Sequence, residues 1–480
     1  MGIKDYGLKI LFLRSFQLIL LLVLVFCLYS VFDLNSRDIF KFKSLFFGGL
    51  LVFFPLFVYR ISNEIKNDKT AILIIFIISL LFLGSWNFYV KPTPINDYGV
   101  LWDGAKQILN GTFSDRAFKK DDYFCFYNFQ IGYATWLAFL LKIFNHNLSL
   151  IVFFEGIVIS LTNVVLYKSA RLYLPIQASV VSCFCFLFFP FVFLGSGILN
   201  NQHECLLLEA IAIFLVLNNA KKLNANSISF FVGIILCIAN ILRPTAIVVL
   251  LACVLFQLID KNSIKKGILN AGIIIFSYFV TYKLFDLVFI YSGLAPYGIM
   301  TSNLWFKLML GLTGNGVTEQ RTTSALYTNL YYDLKHFGFN YELYKQEAQK
   351  AVLNLFTQDK LNSTYIIRKM VYFCGYIDNQ YHFLGSKVIN KNSTLILNLN
   401  SVGILLYAFL ILKSLFEVIK KEFISNEVYI LCGIVFVGYF FSYIFLEVQP
   451  RYRFEQYYVL ILMTPFACKH CFKQTFRRSC

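Results

Sequence analysis

Asp97 lies within the polar stretch Pro94-Ile95-Asn96-Asp97-Tyr98-Gly99, which follows an apolar run ending near Val90. A carboxylate at a membrane surface can take a proton from an incoming hydroxyl, hold a divalent cation, or only keep a loop hydrated. Asp97, Leu101, Ala105 and Ile108 recur at helical intervals. A short interfacial helix is therefore expected, with Asp97 near its N-terminus, where free N–H groups favour a carboxylate.

Three further polar groups interrupt the apolar chain. Asn200-Asn201-Gln202-His203-Glu204 separates two apolar runs, and in it His203 and Glu204 have the chemistry to position a metal or an acceptor. The alternative is an ordinary solvated turn; if a cation is used, oxygen ligands favour Mg, Mn or Ca. Arg243 precedes Pro244 at a junction between two runs, where a guanidinium either snorkels to the interface or meets a partner such as phosphate. Glu447-Val-Gln-Pro-Arg451-Tyr452-Arg453 sits on the side that ought to be poor in basic residues, which favours anion binding there. Glu155, Glu209 and the Lys283/Asp286 pair lie inside apolar runs; the last two are one turn apart and can neutralise each other.

These residues need a scaffold, and the composition defines it. Of 480 residues 58% are hydrophobic and 14% charged, and a mean hydropathy of +0.65 excludes a soluble domain. The chain reads as an all-α polytopic membrane protein. Its net charge of +17 follows largely from basic loops on one side, so nucleic acid is not an expected partner. The segment Cys468-Lys-His-Cys471 has metal-site spacing without a second pair of ligands and reads as incidental.

About twelve stretches satisfy the length and apolarity of a span, from Ser15–Phe32 and Ser44–Tyr59 through Ala178–Leu199 and Cys205–Leu217 to Val428–Glu447 and Tyr457–Phe466. Ile131–Phe144 is assigned as a re-entrant or interfacial helix, because counting it as a span would put Lys168 and Arg171 outside. The organisation expected is residues 1–90 as N-terminal spans, 91–147 as a first large outer loop, 148–291 as a central bundle, 292–401 as an outer subdomain, and 402–480 as C-terminal spans with a basic tail. Both chain ends are expected to be cytoplasmic. Within the subdomain, Tyr341–Gln358 has helical spacing, and Gly311 to Glu319 reads as a flexible loop.

Four features together resemble the membrane glycosyltransferases of the GT-C superfamily, in particular protein O-mannosyltransferases and lipid A aminoarabinose transferases. They are Asn96-Asp97-Tyr98 through Ala105 and Gly111; Phe126-Tyr-Asn-Phe-Gln130 followed by the Ile131–Phe144 segment; the polar turn Asn200–Glu204; and Glu447–Tyr452 before a last apolar run. The resemblance implies a polyprenyl-phosphate sugar donor, transfer at the outer face of a bacterial cytoplasmic membrane, and inversion at the anomeric carbon. It would make Asp97 the general base, alone or with a divalent cation such as Mg or Mn. Arg243, Arg451 and Arg453 would then meet the donor phosphate, and Tyr98, Gln130 and Tyr452 would position substrate. The acceptor could be a cell-wall polymer, a glycolipid or a protein, among membrane lipids. The rival expectation is a transporter or flippase of a lipid-linked saccharide, for which Glu155 and Glu209 would be essential and Asp97 dispensable.

Overall fold

The computed structural model describes residues 3–34, 58–113, 123–219, 225–260, 264–296, 298–299, 304–313, 341–357, 363–375, 386–419 and 427–464. Among them every regular element is helical. After α1 (Ile3–Leu34), α2 (Asp68–Val90) starts where the Asn67 side chain accepts the Thr70 N–H at 2.8 Å. It ends at Lys91, with φ 48°. Pro92 and Pro94 carry the chain on without donors, and Asn96, at φ 51°, turns it into α3 (Asn96–Leu109). Asp97 thus falls in the first turn of α3, as its spacing implied.

The turn Asn128–Gln130 leads into α4 (Ile131–Ile143), followed by α5 (Leu148–Arg171), which Asn147 caps through the Leu150 N–H. Then come α6 (Ile176–Leu187), α7 (Asn201–Asn219), α8 (Ala225–Leu242), α9 (Ala246–Asp260) and α10 (Ile264–Tyr291). The described parts of the next region are α11 (Leu304–Thr313), α12 (Tyr341–Thr357) and α13 (Ser363–Gly375). The chain closes with α14 (Ser386–Ile419), α15 (Glu427–Phe445), the 3-10 turn Pro450–Arg453 and α16 (Phe454–Met463).

The helices form a continuous packed series. α2 lies on α5, α5 on α7, α7 on α8, and α8 on α10; α9 joins α10 to α15, while α1 packs on α13 and α14. Two close approaches depend on glycine. A Cβ at Gly132 of α4 would collide with the Ile241 carbonyl of α8, and one at Gly233 of α8 with Ser277 and the Ile274 carbonyl of α10. Small residues at such crossings let backbones meet, which in lipid replaces the missing hydrophobic drive.

α2 and α10 also present large apolar side chains outward, including Leu81 at 65% exposure and Phe276 at 65%. Stripes of that kind mark a lipid-facing surface. α2, α5, α10, residues 395–418 of α14 and α15 are long and apolar enough to cross a bilayer. Shorter apolar helices occupy Arg14–Tyr29, Ile176–Leu187, Asn226–Leu242 and Ala246–Ile259. This is a multi-pass membrane protein.

Several expected spans look different in three dimensions. Ala178–Leu199 is not one helix: α6 stops at Leu187, Pro190 starts a short turn of helix to Phe193, and the chain then coils to α7. The last expected span has α16 as its described part; ten residues rise only about 15 Å, and its residues are buried inside the protein. α4, with 13 residues, spans roughly 20 Å and is largely buried against α3 and α8, too short to cross a hydrocarbon core of about 30 Å. The helix expected at Tyr341–Gln358 is α12, and the dividing point 401/402 falls inside α14. Ser44–Tyr59 apart from its last two residues, residues 314–319 of the expected loop, and Cys468–Cys471 lie outside the described residues.

Candidate active site

A cavity of roughly 480 Å³ opens where the ends of these helices meet, and it gathers residues far apart in the chain. Asp97 and Tyr98 come from the first turn of α3, and Gln130 from the turn before α4. Asn201 starts α7, Arg243 follows the last residue of α8, and Pro244 keeps that helix from continuing. Arg451 and Tyr452 come from the 3-10 turn before α16. Lys307 of α11 and Glu447 add to the polar lining. Ile247, Val248 and Phe279 supply an apolar part of the same hollow.

Each cation of the cavity has a carboxylate beside it. Arg451 is buried; its Nη2 lies 3.5 Å from Asp97 Oδ2 and its Nη1 donates to the Tyr98 hydroxyl at 2.8 Å. Arg243 Nε stands 3.3 Å from Glu455 Oε1, and its Nη1 donates to Asn201 Oδ1 at 3.0 Å. The Asn201 amide donates in turn to Gln130 Oε1 and the Leu242 carbonyl. Both guanidinium groups lie over the Tyr452 ring, with centroid distances of 5.1 Å for Arg243 and 5.7 Å for Arg451. An aromatic face holds such cations without consuming their N–H donors. Lys307 Nζ is 2.5 Å from Glu447 Oε2 and lies over the rings of Tyr127 and Phe129.

These contacts set the protonation states. Burial pushes the Tyr98 phenol up to about 12, against the opposing pull of Arg451 and Arg243, so it remains a neutral donor at physiological pH. Burial alone would raise Glu447, but Lys307 outweighs it and holds the carboxyl below its ordinary value. Burial would likewise lower Lys307, and Glu447 more than offsets that, so the amine is raised. Asp97, with its side chain 50% exposed, faces solvent on one side and Arg451 on the other.

The structure separates the remaining sequence candidates from this hollow. Arg453 is fully buried; its Nε donates to the Pro450 carbonyl and its Nη1 to the Cys374 carbonyl, between the rings of Phe191 and Tyr407. It is not among the cavity residues, and a phosphate there would have to displace those acceptors. His203 and Glu204 also lie elsewhere. Successive residues of a helix turn by about 100°. With Asn201 toward Arg243, His203 Nδ1 meets Glu155 Oε2 at 2.9 Å, and Glu204 Oε1 accepts from Trp136 Nε1 at 2.9 Å. Tyr133 reaches the other Glu155 oxygen. Glu209 accepts from the Tyr439 hydroxyl at 2.9 Å. Glu155 and Glu209 therefore have protein partners and do not line the cavity. Asp286 accepts the Ile299 N–H at 2.7 Å, while Lys283 extends outward from it.

A divalent cation does not fit these residues. Among the described residues no three His, Cys, Asp or Glu side chains converge as a metal-binding group, and the cavity's two carboxylates already face Arg451 and Lys307. An oxygen-rich Mg or Mn site needs several such ligands on one ion. No step below passes through a metal.

Three participants were not singled out from the sequence. Lys307 is a lone charge in Leu304-Trp-Phe-Lys-Leu-Met-Leu, a pattern that marks a candidate site in itself. Glu455 lies one helical turn beyond Arg451, near enough in sequence to have been read with it. Asn201 belonged to a cluster already chosen, but which of its members face the cavity depends on the phase of α7.

Residues 131–283 match the dolichyl-phosphate-mannose-protein mannosyltransferase family. No curated protein and no solved structure gives a significant match. The family match bears out the resemblance read from the sequence and marks this stretch as similar to a membrane glycosyltransferase of mannosyltransferase type. Gln130, by one residue, Asp97 and the turn carrying Arg451 lie outside the matched segment, whereas Asn201 and Arg243 lie within it.

Proposed function

We propose that this chain is an integral membrane glycosyltransferase that moves a sugar from a polyprenyl-phosphate donor to an acceptor hydroxyl, with inversion, at the outer face of a bacterial cytoplasmic membrane. Both chain ends would be cytoplasmic. The observation that supports it most is the mixed character of one cavity. Asp97, Arg243, Lys307 and Arg451 share it with Ile247, Val248 and Phe279. An anionic head on an isoprenoid tail would use both kinds of lining. Phe279 is also 52% exposed on α10, so the hollow reaches the lipid-facing surface from which such a donor would enter.

The residues divide the work as follows. The acceptor oxygen attacks the anomeric carbon, its proton passes to the Asp97 carboxylate, and the carbon–oxygen bond to phosphate breaks with both electrons leaving on the phosphate. Attack opposite the departing group inverts the centre. Arg243 and Arg451 offset the charge that develops on the leaving phosphate, as fixed cations do in a water-poor site. Tyr98, as a neutral phenol, donates to an oxygen of that group, and Gln130 and Tyr452 orient the substrate. The acceptor is a polymer, glycolipid or protein hydroxyl.

The test is transfer by purified protein in lipid bilayers supplied with polyprenyl-phosphate sugars. Asp97→Asn should slow release of free polyprenyl phosphate by roughly 10²–10⁴-fold while leaving donor binding near wild type. Undiminished release in that variant would remove Asp97 as base.

A further inference from the structure

Three cations border the cavity, and their carboxylate partners differ in one respect. Asp97 and Glu447 themselves line the hollow, and Asp97 is half exposed. Glu455 is 1% exposed and is not part of the lining. It stands behind Arg243, 3.3 Å from Nε, while Arg243 itself lines the cavity. Glu455 also accepts from Gln202 Nε2, at 3.4 and 3.5 Å to its two oxygens, and the same amide nitrogen lies 3.1 Å from the Arg451 carbonyl. Gln202 is held in place by the Asn200 amide at 2.7 Å. Glu455 is thus enclosed by protein and held between Arg243 and Gln202.

That placement matters because the two anions of the reaction differ in charge. A sugar phosphodiester carries one negative charge; the phosphate monoester left after transfer carries roughly −1.5 to −2 near neutral pH. Cations arranged for the departing phosphate would on this ground hold the product more tightly than the donor. A fixed negative charge behind Arg243 weakens the pull on both, and on the more highly charged product most.

Resting on the glycosyltransferase reading above, we infer that Glu455 is a positioning residue that aims Arg243 and, by partly neutralising it, sets the affinity for the phosphate monoester product so that it can leave. A purely structural Glu455 makes the opposite prediction. Its loss would then disorder Arg243 and weaken every anion.

The experiment measures binding of polyprenyl monophosphate to full-length protein in lipid bilayers, together with kcat and donor KM. Glu455→Gln should bind the monophosphate about tenfold more tightly, with a smaller fall in donor KM and a lower kcat as product release slows. Glu455→Asp withdraws the charge by one methylene and should fall between wild type and the glutamine variant; it also serves if Glu455→Gln does not fold. The gain should vanish when Arg243→Gln is present as well. Weaker or unchanged monophosphate binding in the glutamine variant, or in the aspartate variant if only that folds, overturns the inference while leaving the transferase reading intact. Wild-type protein that binds neither the monophosphate nor the donor overturns both.

Discussion

Asp97 and Arg451 touch across 3.5 Å, and the same arginine donates to Tyr98. One planar group thus meets both the Asp97 carboxylate and a phenol, which lysine cannot imitate because it lacks the fork. Arg451→Lys should lower kcat by roughly 10–100-fold with little change in expression, measured as polyprenyl phosphate release at saturating donor. Lys307 and Glu447 form a second pair with a definite pH range. Glu447 is held below its ordinary value, so its contribution to stability is complete above the unfolded carboxyl value and is lost as pH falls through the lower folded value. Lys307 is raised, so its part is complete below the unfolded amine value and is lost as pH rises through the higher folded one. Glu447→Gln should therefore destabilise by about 2–4 kcal/mol over a plateau from roughly pH 5 to 10, shrinking outside it. Thermal unfolding across that range checks this; a deficit still growing below pH 4 would contradict it.

At the scale of elements, the ends of helices matter more than their middles. α11 and α13 are fastened to the end of α15 by Lys369, a buried amine that donates to the carbonyls of Gly311, Ile444 and Leu446. The next residue after Leu446 is Glu447 of the cavity, so this fastening sets one wall of the site. Lys369→Met should leave buried carbonyls short of a donor, cost about 2–4 kcal/mol, and raise donor KM more than it alters expression. Helix crossings constrain the other wall. Gly132→Val would force α4 away from α8, and with it Gln130, which reaches Asn201. A fall in thermal stability together with loss of transfer is expected, as for overpacked cores that lose about 1–3 kcal/mol.

For the whole molecule, a cavity with both polar and apolar linings would let different helices recognise the head and the tail of the proposed donor. Val248 lies on α9 and borders the hollow, and its own carbon approaches the position of Gly438 on α15. Val248→Trp should raise KM for long-chain polyprenyl donors by about tenfold and leave a short-chain, water-soluble donor nearly unaffected. Equal effects on both donors would mean that the tail does not lie there. Glu155 and Glu209, on which the rival transport role would rest, do not line the hollow and are held by His203, Tyr133 and Tyr439.

The sequence by itself determined a helical membrane protein, because apolar run length, sparse charge and basic loops are local properties that a bilayer reads directly. It also determined that Asp97 begins a helix, since a 3.6-residue repeat after an Asn-Asp start needs no distant contact. It singled out Arg243 and Arg451 as charges in unfavourable places, though not that they share the Tyr452 ring. Tertiary structure decided which polar residues face one another. Arg453 follows Arg451 by two residues yet turns inward to backbone carbonyls, and His203 and Glu204 follow Asn201 yet face Glu155 and Trp136. The reason is the phase of a helix: two or three residues swing a side chain to another side, and only the packing of neighbouring helices says which side is the cavity. Lys307 and Glu455 each carried a local signal, a lone charge and a one-turn spacing from Arg451, but their pairing with Glu447 and Arg243 was decided by tertiary contacts.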